Sequence, residues 1–156
     1  MSIYCFEHAR TPEQLAEMRR LDAAGICLFC PEQLVSHPRQ EVLFSSQHWT
    51  ATRNEFPYQG TSLHLLLVPH QHAADLLELS DEARGDFWLA LATAVERHGL
   101  GHYGLGIRNG DCRFTGASIR HVHAHVLVAS DAAGAPPVRM RFSGRPAEPP
   151  AAGAAG

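Results

Sequence analysis

The chain has 156 residues, 45% of them hydrophobic, which suits a single domain around one core. Its formal charge of −3, with acidic and basic residues interspersed, argues against bulk binding to nucleic-acid backbones. There is no apolar run of about 18 residues to span a membrane. Met1-Ser2-Ile3-Tyr4-Cys5 lacks the basic-then-apolar pattern of an export signal, so the four cysteines are expected as thiols or metal ligands in the cytoplasm.

Thr11-Pro12-Glu13-Gln14 predicts a helix start, with Thr as N-cap and Pro at the first helical position. Leu15, Met18 and Leu21 form its apolar stripe and Gly25 ends it. Cys27-Leu28-Phe29-Cys30-Pro31 then predicts a tight turn carrying a CxxC pair. Residues from about 41 to 46 and 48 to 53 alternate as a hairpin, with a loop at 54–60 set by Pro57 and Gly60. Leu63 to Val68 is an apolar run expected as a central strand; His64, its one polar residue, suits a satisfied core or edge position as well as a ligand. Pro69-His70-Gln71-His72 follows as a loop.

Ser80-Asp81-Glu82 opens the long helix, capped by Ser and acidic at the positive end of the dipole. Phe87, Trp88, Leu91, Ala94, Val95 and His98 give it one packing face. Tyr103 to Arg108 alternates as a strand, and a glycine-containing loop runs from Asn109 to Ser118. Pro136 to Phe142 is expected to add a short last strand, and 143–156, rich in Gly, Pro and Ala, a disordered tail after a domain of residues 1–142. The element order predicts an α+β fold, helices on a mainly antiparallel sheet of about five strands.

The most informative stretch is Ser118-Ile119-Arg120-His121-Val122-His123-Ala124-His125-Val126-Leu127-Val128. On strand geometry His121, His123 and His125 share one face and Val122, Ala124, Val126 and Val128 the other. A solvated polar face would more usually carry Thr, Lys or Glu; the remaining readings are a metal cluster and a histidine-based phosphoryl-transfer site. The CxxC pair reads as half a zinc site, as a redox pair or as surface thiols. Zinc is the better fit, because Leu and Phe lie inside the pair and histidines are available at 70, 72 and 121 to complete a tetrahedron.

Ser118-x-x-His121-x-His123-x-His125, with Cys27-Leu28-Phe29-Cys30, His64-Leu65-Leu66-Leu67-Val68-Pro69-His70-Gln71-His72, Asn109 and the long helix in matching order, resembles the histidine-triad (HIT) superfamily of nucleotide hydrolases and transferases. Phe56-Pro57-Tyr58, Gly60-Thr61-Ser62 and Glu78-Leu79-Ser80 are also similar to galactose-1-phosphate uridylyltransferase, although His125 stands where that branch has Gln.

The resemblance implies that His123 attacks the α-phosphorus of a nucleoside phosphoramidate, dinucleoside polyphosphate or similar nucleotide, forming a nucleotidyl-histidine that water hydrolyses. It implies His125 as a donor to phosphate oxygens and Ser118 at the leaving-group oxygen. Asn109 is implied at the phosphate or its loop, and Asn54 at the ribose, with His64 beside them. Zinc-bearing members suggest Cys27, Cys30, His72 and His121 as a closed, structural zinc site. Cys5, Cys112 and His70 receive no role. The family implies a homodimer. Alternatives are a nucleotide-binding module with little turnover, and a metallohydrolase using the three histidines as ligands. Ala117 replaces a Gln common in the family, which leaves the ribose contacts and substrate preference open.

Overall fold

The computed structural model describes residues 2–144. Helix α1 spans Pro12–Ala23; the Thr11 hydroxyl accepts the Gln14 N–H at 3.1 Å, as the sequence predicts. The chain turns at Gly25 into the CxxC segment, where the Cys30 N–H donates to the Cys27 carbonyl at 3.1 Å. Pro31 at once starts a six-residue helix, α2 (Pro31–Ser36), too short for periodicity to reveal.

Strands β1 (Val42–Ser45) and β2 (Trp49–Arg53) form the expected hairpin, followed by β3 (Thr61–Pro69), helix α3 (Asp81–His98), β4 (Gly104–Ile107), the short α4 (Cys112–Thr115) and β5 (Ala124–Ala129). All pairings are antiparallel, in the order β1-β2-β3-β5-β4. The fold is therefore the predicted α+β arrangement. No helix among the described residues is long and apolar enough to cross a membrane.

Each face of the sheet has its own core. On one, Trp49, Ala51, Leu65, Leu67 and Val126 meet Ala83, Phe87, Ala90, Leu91 and Ala94 of α3. The Trp49 indole N–H donates to the Ala83 carbonyl at 2.7 Å, so the largest core side chain is also hydrogen-bonded. Trp88, expected in that stripe, is instead 64% exposed. The buried positions 83, 87, 90, 91 and 94 set the phase of the helix, and residue 88 lies about 100° round from 87.

On the opposite face Leu66 and Val68 pack with Met18, Leu21, Phe29, Leu34, Tyr4 and Ile119. His64 and His125 share that face, because Leu66 pairs with His125 and His64 with Leu127 across β3 and β5.

Three expectations are corrected. Only residues from Ala124 onward join the sheet, so His121 and His123 precede the strand rather than alternate along it. There the Arg120 N–H donates to the Ile3 carbonyl at 2.8 Å and the Val122 N–H to the Ala73 carbonyl at 2.7 Å, which draws this backbone away from β3. The Pro136–Phe142 segment forms no strand; Pro136 and Pro137 have no N–H to give a ladder. It runs as an irregular strap, its Arg141 carbonyl accepting from Arg108 Nε at 2.8 Å and Nη2 at 2.6 Å. Gly60 (φ +80°) and Gly116 (φ +76°) lie where a Cβ would run into the carbonyls of Pro136 and Ser143, so both positions need glycine for backbone conformation and for close approach. Of the predicted tail, Ser143 and Gly144 belong to this strap, and 145–156 lies outside the described residues.

The third correction concerns Cys5 and Cys112, which had no expected partner and now form a disulfide, with Cα atoms 6.4 Å apart. The Cys5 N–H donates to the Ser118 carbonyl at 3.0 Å, and His8 Nε2 to the Cys112 carbonyl at 3.0 Å. The N-terminal segment is thereby fastened to the loop that carries Ser118.

Candidate active site and metal centre

All three histidines of the motif are buried: His121 is 1% exposed, His123 8% and His125 4%. A solvated polar face is therefore ruled out, and the three rings go to different places. His121 Nε2 donates to the Pro69 carbonyl at 2.9 Å, which turns Nδ1 to Cys27 Sγ, 3.4 Å away. Cys30 Sγ lies 3.4 Å from His72 Nδ1. The ligand atoms of Cys27, Cys30, His72 and His121 all fall within 4.8 Å of one another.

These residues fit a tetrahedral ion. Zinc bonds of about 2.3 Å to sulfur and about 2.0 Å to nitrogen put neighbouring donors roughly 3.3–3.8 Å apart. The carbonyl partner on His121 is the outer-shell contact that fixes a ligand imidazole. Burial, reinforced by the neighbouring Cys30, pushes the Cys27 thiol up to about 12, so a thiolate there calls for an adjacent cation.

His123 and His125 turn instead to a cavity of about 780 Å³ that both line, together with Ser118 and Asn54. The His123 ring is edge-on to Phe29, with centroids 4.8 Å apart, and 4.8 Å from the His125 ring. His123 Nδ1 donates to the His121 carbonyl at 2.8 Å. A carbonyl can only accept, so Nε2 holds the lone pair, and it has no protein partner among the described residues. Burial holds the His123 pKa down at about 4, with the Arg108 charge adding to the effect. At neutral pH this is an uncharged imidazole with its free nitrogen on the cavity.

The tautomer of His125 is set in the same way, one step further removed. The Tyr58 backbone N–H donates to His64 Nδ1 at 3.1 Å. The Asn54 amide nitrogen lies 3.3 Å from that atom and 3.1 Å from His64 Nε2. With Nδ1 accepting, His64 carries its proton on Nε2 and donates it to His125 Nδ1 at 2.9 Å. His125 must then present Nε2–H to the cavity, where Arg108 Nη1, another donor, lies 3.4 Å away. Two donors converging on one point call for an acceptor such as a phosphate oxygen. Burial lowers His64 to about 3 and His125 well below its usual value, His125 also under the neighbouring His123.

The remaining expectations resolve individually. Asn54 lines the cavity but is turned toward His64, its Oδ1 accepting the Phe56 N–H at 3.0 Å. His64 lies behind His125 rather than on the cavity. Asn109 does not line the cavity either; its Oδ1 accepts the Leu76 N–H at 3.0 Å and ties two loops together. His70 Nε2 bonds Thr50 Oγ1 at 3.1 Å. The three imidazoles of the motif do not converge on one point, so the metallohydrolase reading has no geometry behind it.

Sequence reasoning overlooked Tyr58, Arg10, Arg108 and His8. Tyr58 stacks on His125 with centroids 5.4 Å apart, and the Arg10 guanidinium lies over its other side at 4.5 Å. Arg108, at the end of β4 and next to Asn109, donates to the Tyr58 hydroxyl at 2.9 Å.

The HIT domain model matches residues 36–132. The chain belongs to the HIT domain family. Solved HIT structures resemble it: a HIT family hydrolase from Clostridium thermocellum has TM-score 0.56 and 23% identity over 67% of this chain and 91% of that one. A histidine triad nucleotide-binding protein from Candida albicans has TM-score 0.54 and 20% identity over 76% and 85%. The diadenosine triphosphate hydrolase of Plasmodium falciparum has TM-score 0.50 and 19% identity over 58% and 62%. No curated protein matches the chain.

The buried neutral histidines of this HIT domain have a consequence for stability. His64, His123 and His125 take up protons near 6.5 when unfolded but only at much lower pH when folded. Their contribution is complete above about pH 6.5 and is lost as pH falls, at up to about 1.4 kcal/mol per pH unit for each. Glu17, held at about 2 by Arg20, acts only below the usual carboxylate range. The melting temperature should therefore be level from pH 8 to 7 and fall steeply from 6.5 to 4.5. A level profile down to 4.5 would contradict the assignment of neutral buried rings.

Proposed function

We propose that this HIT protein is a nucleotide hydrolase or nucleotidyltransferase acting at the α-phosphate through a covalent nucleotidyl-His123 intermediate. The observation that carries the proposal is the state of His123: neutral, buried, its Nδ1 committed to the His121 carbonyl and its Nε2 unpartnered on the cavity. An imidazole so fixed needs no deprotonation before it attacks phosphorus. The Phe29 end of the cavity, with Met18, Leu28, Leu66 and Ile119, suits a nucleobase.

In the proposed reaction the α-phosphate sits between His123 Nε2 and the donors of His125 and Arg108. His123 attacks phosphorus, the bond to the leaving group breaks, and its electron pair departs on that group. Ser118, on the loop fastened through Cys5, is proposed at the leaving-group atom. Water then attacks the phosphorus, releasing His123 and a nucleoside monophosphate; a second acceptor in place of water would make the reaction a transfer. Preorganised donors supply the stabilisation as negative charge redistributes over the phosphate.

Zinc is proposed at Cys27, Cys30, His72 and His121. Four protein ligands leave no open position for an activated water, so its role would be structural. A homodimer is proposed as well, because β4 is an edge strand and Trp88, Leu89, Tyr103 and Leu105 on α3 and beside or within β4 are exposed. Placement in the cytoplasm rests on Cys27 and Cys30 being free thiols. The Cys5–Cys112 disulfide weighs against it, since such bonds are rare in reducing compartments.

Incubation with adenosine 5′-phosphoramidate or diadenosine polyphosphates, followed by peptide mass spectrometry, should find an adenylyl group on His123. His123→Ala should lose at least about 10³-fold in turnover. Thermal stabilisation by nucleotide with neither turnover nor adduct would favour a binding module instead. Metal analysis should give one zinc per chain, lost with a lowered melting temperature in Cys27→Ser; retention of zinc in that variant would remove the structural site. Small-angle scattering should report a dimer, and a monomer's mass would refute it.

A further inference from the structure

The contacts along the cavity follow a spatial order: Phe29, His123, His125, Tyr58, Arg10. Beyond His123 the chemistry changes from apolar to cationic. Four arginines line the cavity, Arg10, Arg108, Arg139 and Arg141, and among the described residues none has a carboxylate within 4.0 Å. The cavity also carries Glu17 and Glu55, but both are paired elsewhere. Glu17 meets Arg20 at 2.7 Å and His37 at 3.0 Å, and Glu55 meets Arg39 at 2.9 Å. A chain of net charge −3 thus concentrates unpaired positive charge beside its candidate nucleophile.

The arrangement is built rather than incidental. Arg10 is anchored by the Phe56 and Pro57 carbonyls and rests on the Tyr58 ring. Arg108 is held by the Tyr58 hydroxyl and the Arg141 carbonyl. Arg139 and Arg141 come from the 136–144 strap, whose backbone closes on Gly60 and Gly116 where no Cβ fits. The strap therefore has a defined seat, and its arginines belong to the cavity wall.

We propose that this guanidinium end is a subsite for a polyanionic leaving group, so that the preferred substrate is a nucleotide joined through its α-phosphate to a polyphosphate chain, not to an amine. The inference rests on the nucleotidyl-transfer reading above. When His123 Nε2 bonds to the α-phosphorus, the bond from phosphorus to the bridging oxygen breaks. Its electron pair stays on that oxygen, so the departing polyphosphate gains one negative charge. Cations fixed at that end stabilise the transition state more than the bound substrate. A neutral amine leaving group would use none of them.

The test compares kcat/KM for diadenosine triphosphate with that for adenosine 5′-phosphoramidate, in the wild type and in Arg10→Gln, Arg10→Lys and Arg139→Gln. Both substrates deliver the same adenylyl group to His123, so the ratio isolates the leaving group. The ratio should fall at least tenfold in Arg139→Gln and Arg10→Gln and recover in part in Arg10→Lys. Arg139 is exposed on the strap, so its variant remains informative should Arg10→Gln not fold. A ratio within twofold of wild type in Arg139→Gln overturns the subsite while leaving the nucleotidyl-histidine intact. If neither substrate labels His123, the transfer reading falls, and calorimetry with inorganic tripolyphosphate decides the subsite alone. Binding by wild type that weakens at least tenfold in Arg139→Gln sustains it, and no binding by wild type ends it.

Discussion

The 2.9 Å contact between His64 and His125 is the constraint on which the cavity depends. It exists because β3 and β5 pair in one register, with His64 opposite Leu127 and Leu66 opposite His125. A slip of one residue would send His125 to the α3 face, into a core of alanines, leucines and Trp49. With the register fixed, a backbone N–H at Tyr58 determines which nitrogen of His125 carries the proton, through His64. No charged residue is needed to set it. A neutral relay of this kind suits a buried site that must present a donor to phosphate without itself becoming a cation.

His121 joins the two centres. Its ring faces Cys27, and its backbone carbonyl accepts from His123 Nδ1. Whatever holds the His121 ring therefore also holds the carbonyl that orients the nucleophile. On the other side the disulfide-linked Cys5 and Cys112 fasten the N-terminal segment to the loop before the motif, and the Cys5 N–H reaches the Ser118 carbonyl. The nucleophile is thus steadied from both directions along the chain, which is what precise placement of a reacting atom requires.

Much of this was legible in the residues. The Thr11 and Ser80 caps, the hairpin, the central apolar strand and the long helix announce themselves by cap chemistry and periodicity. The Cys27, Cys30, His72 and His121 cluster was accessible only through family resemblance, since spacing alone also allowed His70. What escaped was governed by long-range contacts. Alternation placed His121, His123 and His125 on one strand face, but bonds from Arg120 to Ile3 and from Val122 to Ala73 withdraw the first two from the sheet. Asn109 was expected at the substrate and is spent on Leu76. The pairing of Cys5 with Cys112, across a separation of 107 residues, leaves no local signature. Nor does the seating of the 136–144 strap, whose sequence resembles a weak strand until its contacts with Gly60 and Gly116 are seen.

The most direct test of this account is the protonation of the two cavity histidines, read by long-range ¹H–¹⁵N correlation NMR on ¹⁵N-histidine-labelled protein at pH 7. The account predicts neutral rings of opposite tautomer, with the proton on Nδ1 in His123 and on Nε2 in His125. A cationic His123, or a His125 protonated on Nδ1, would contradict it.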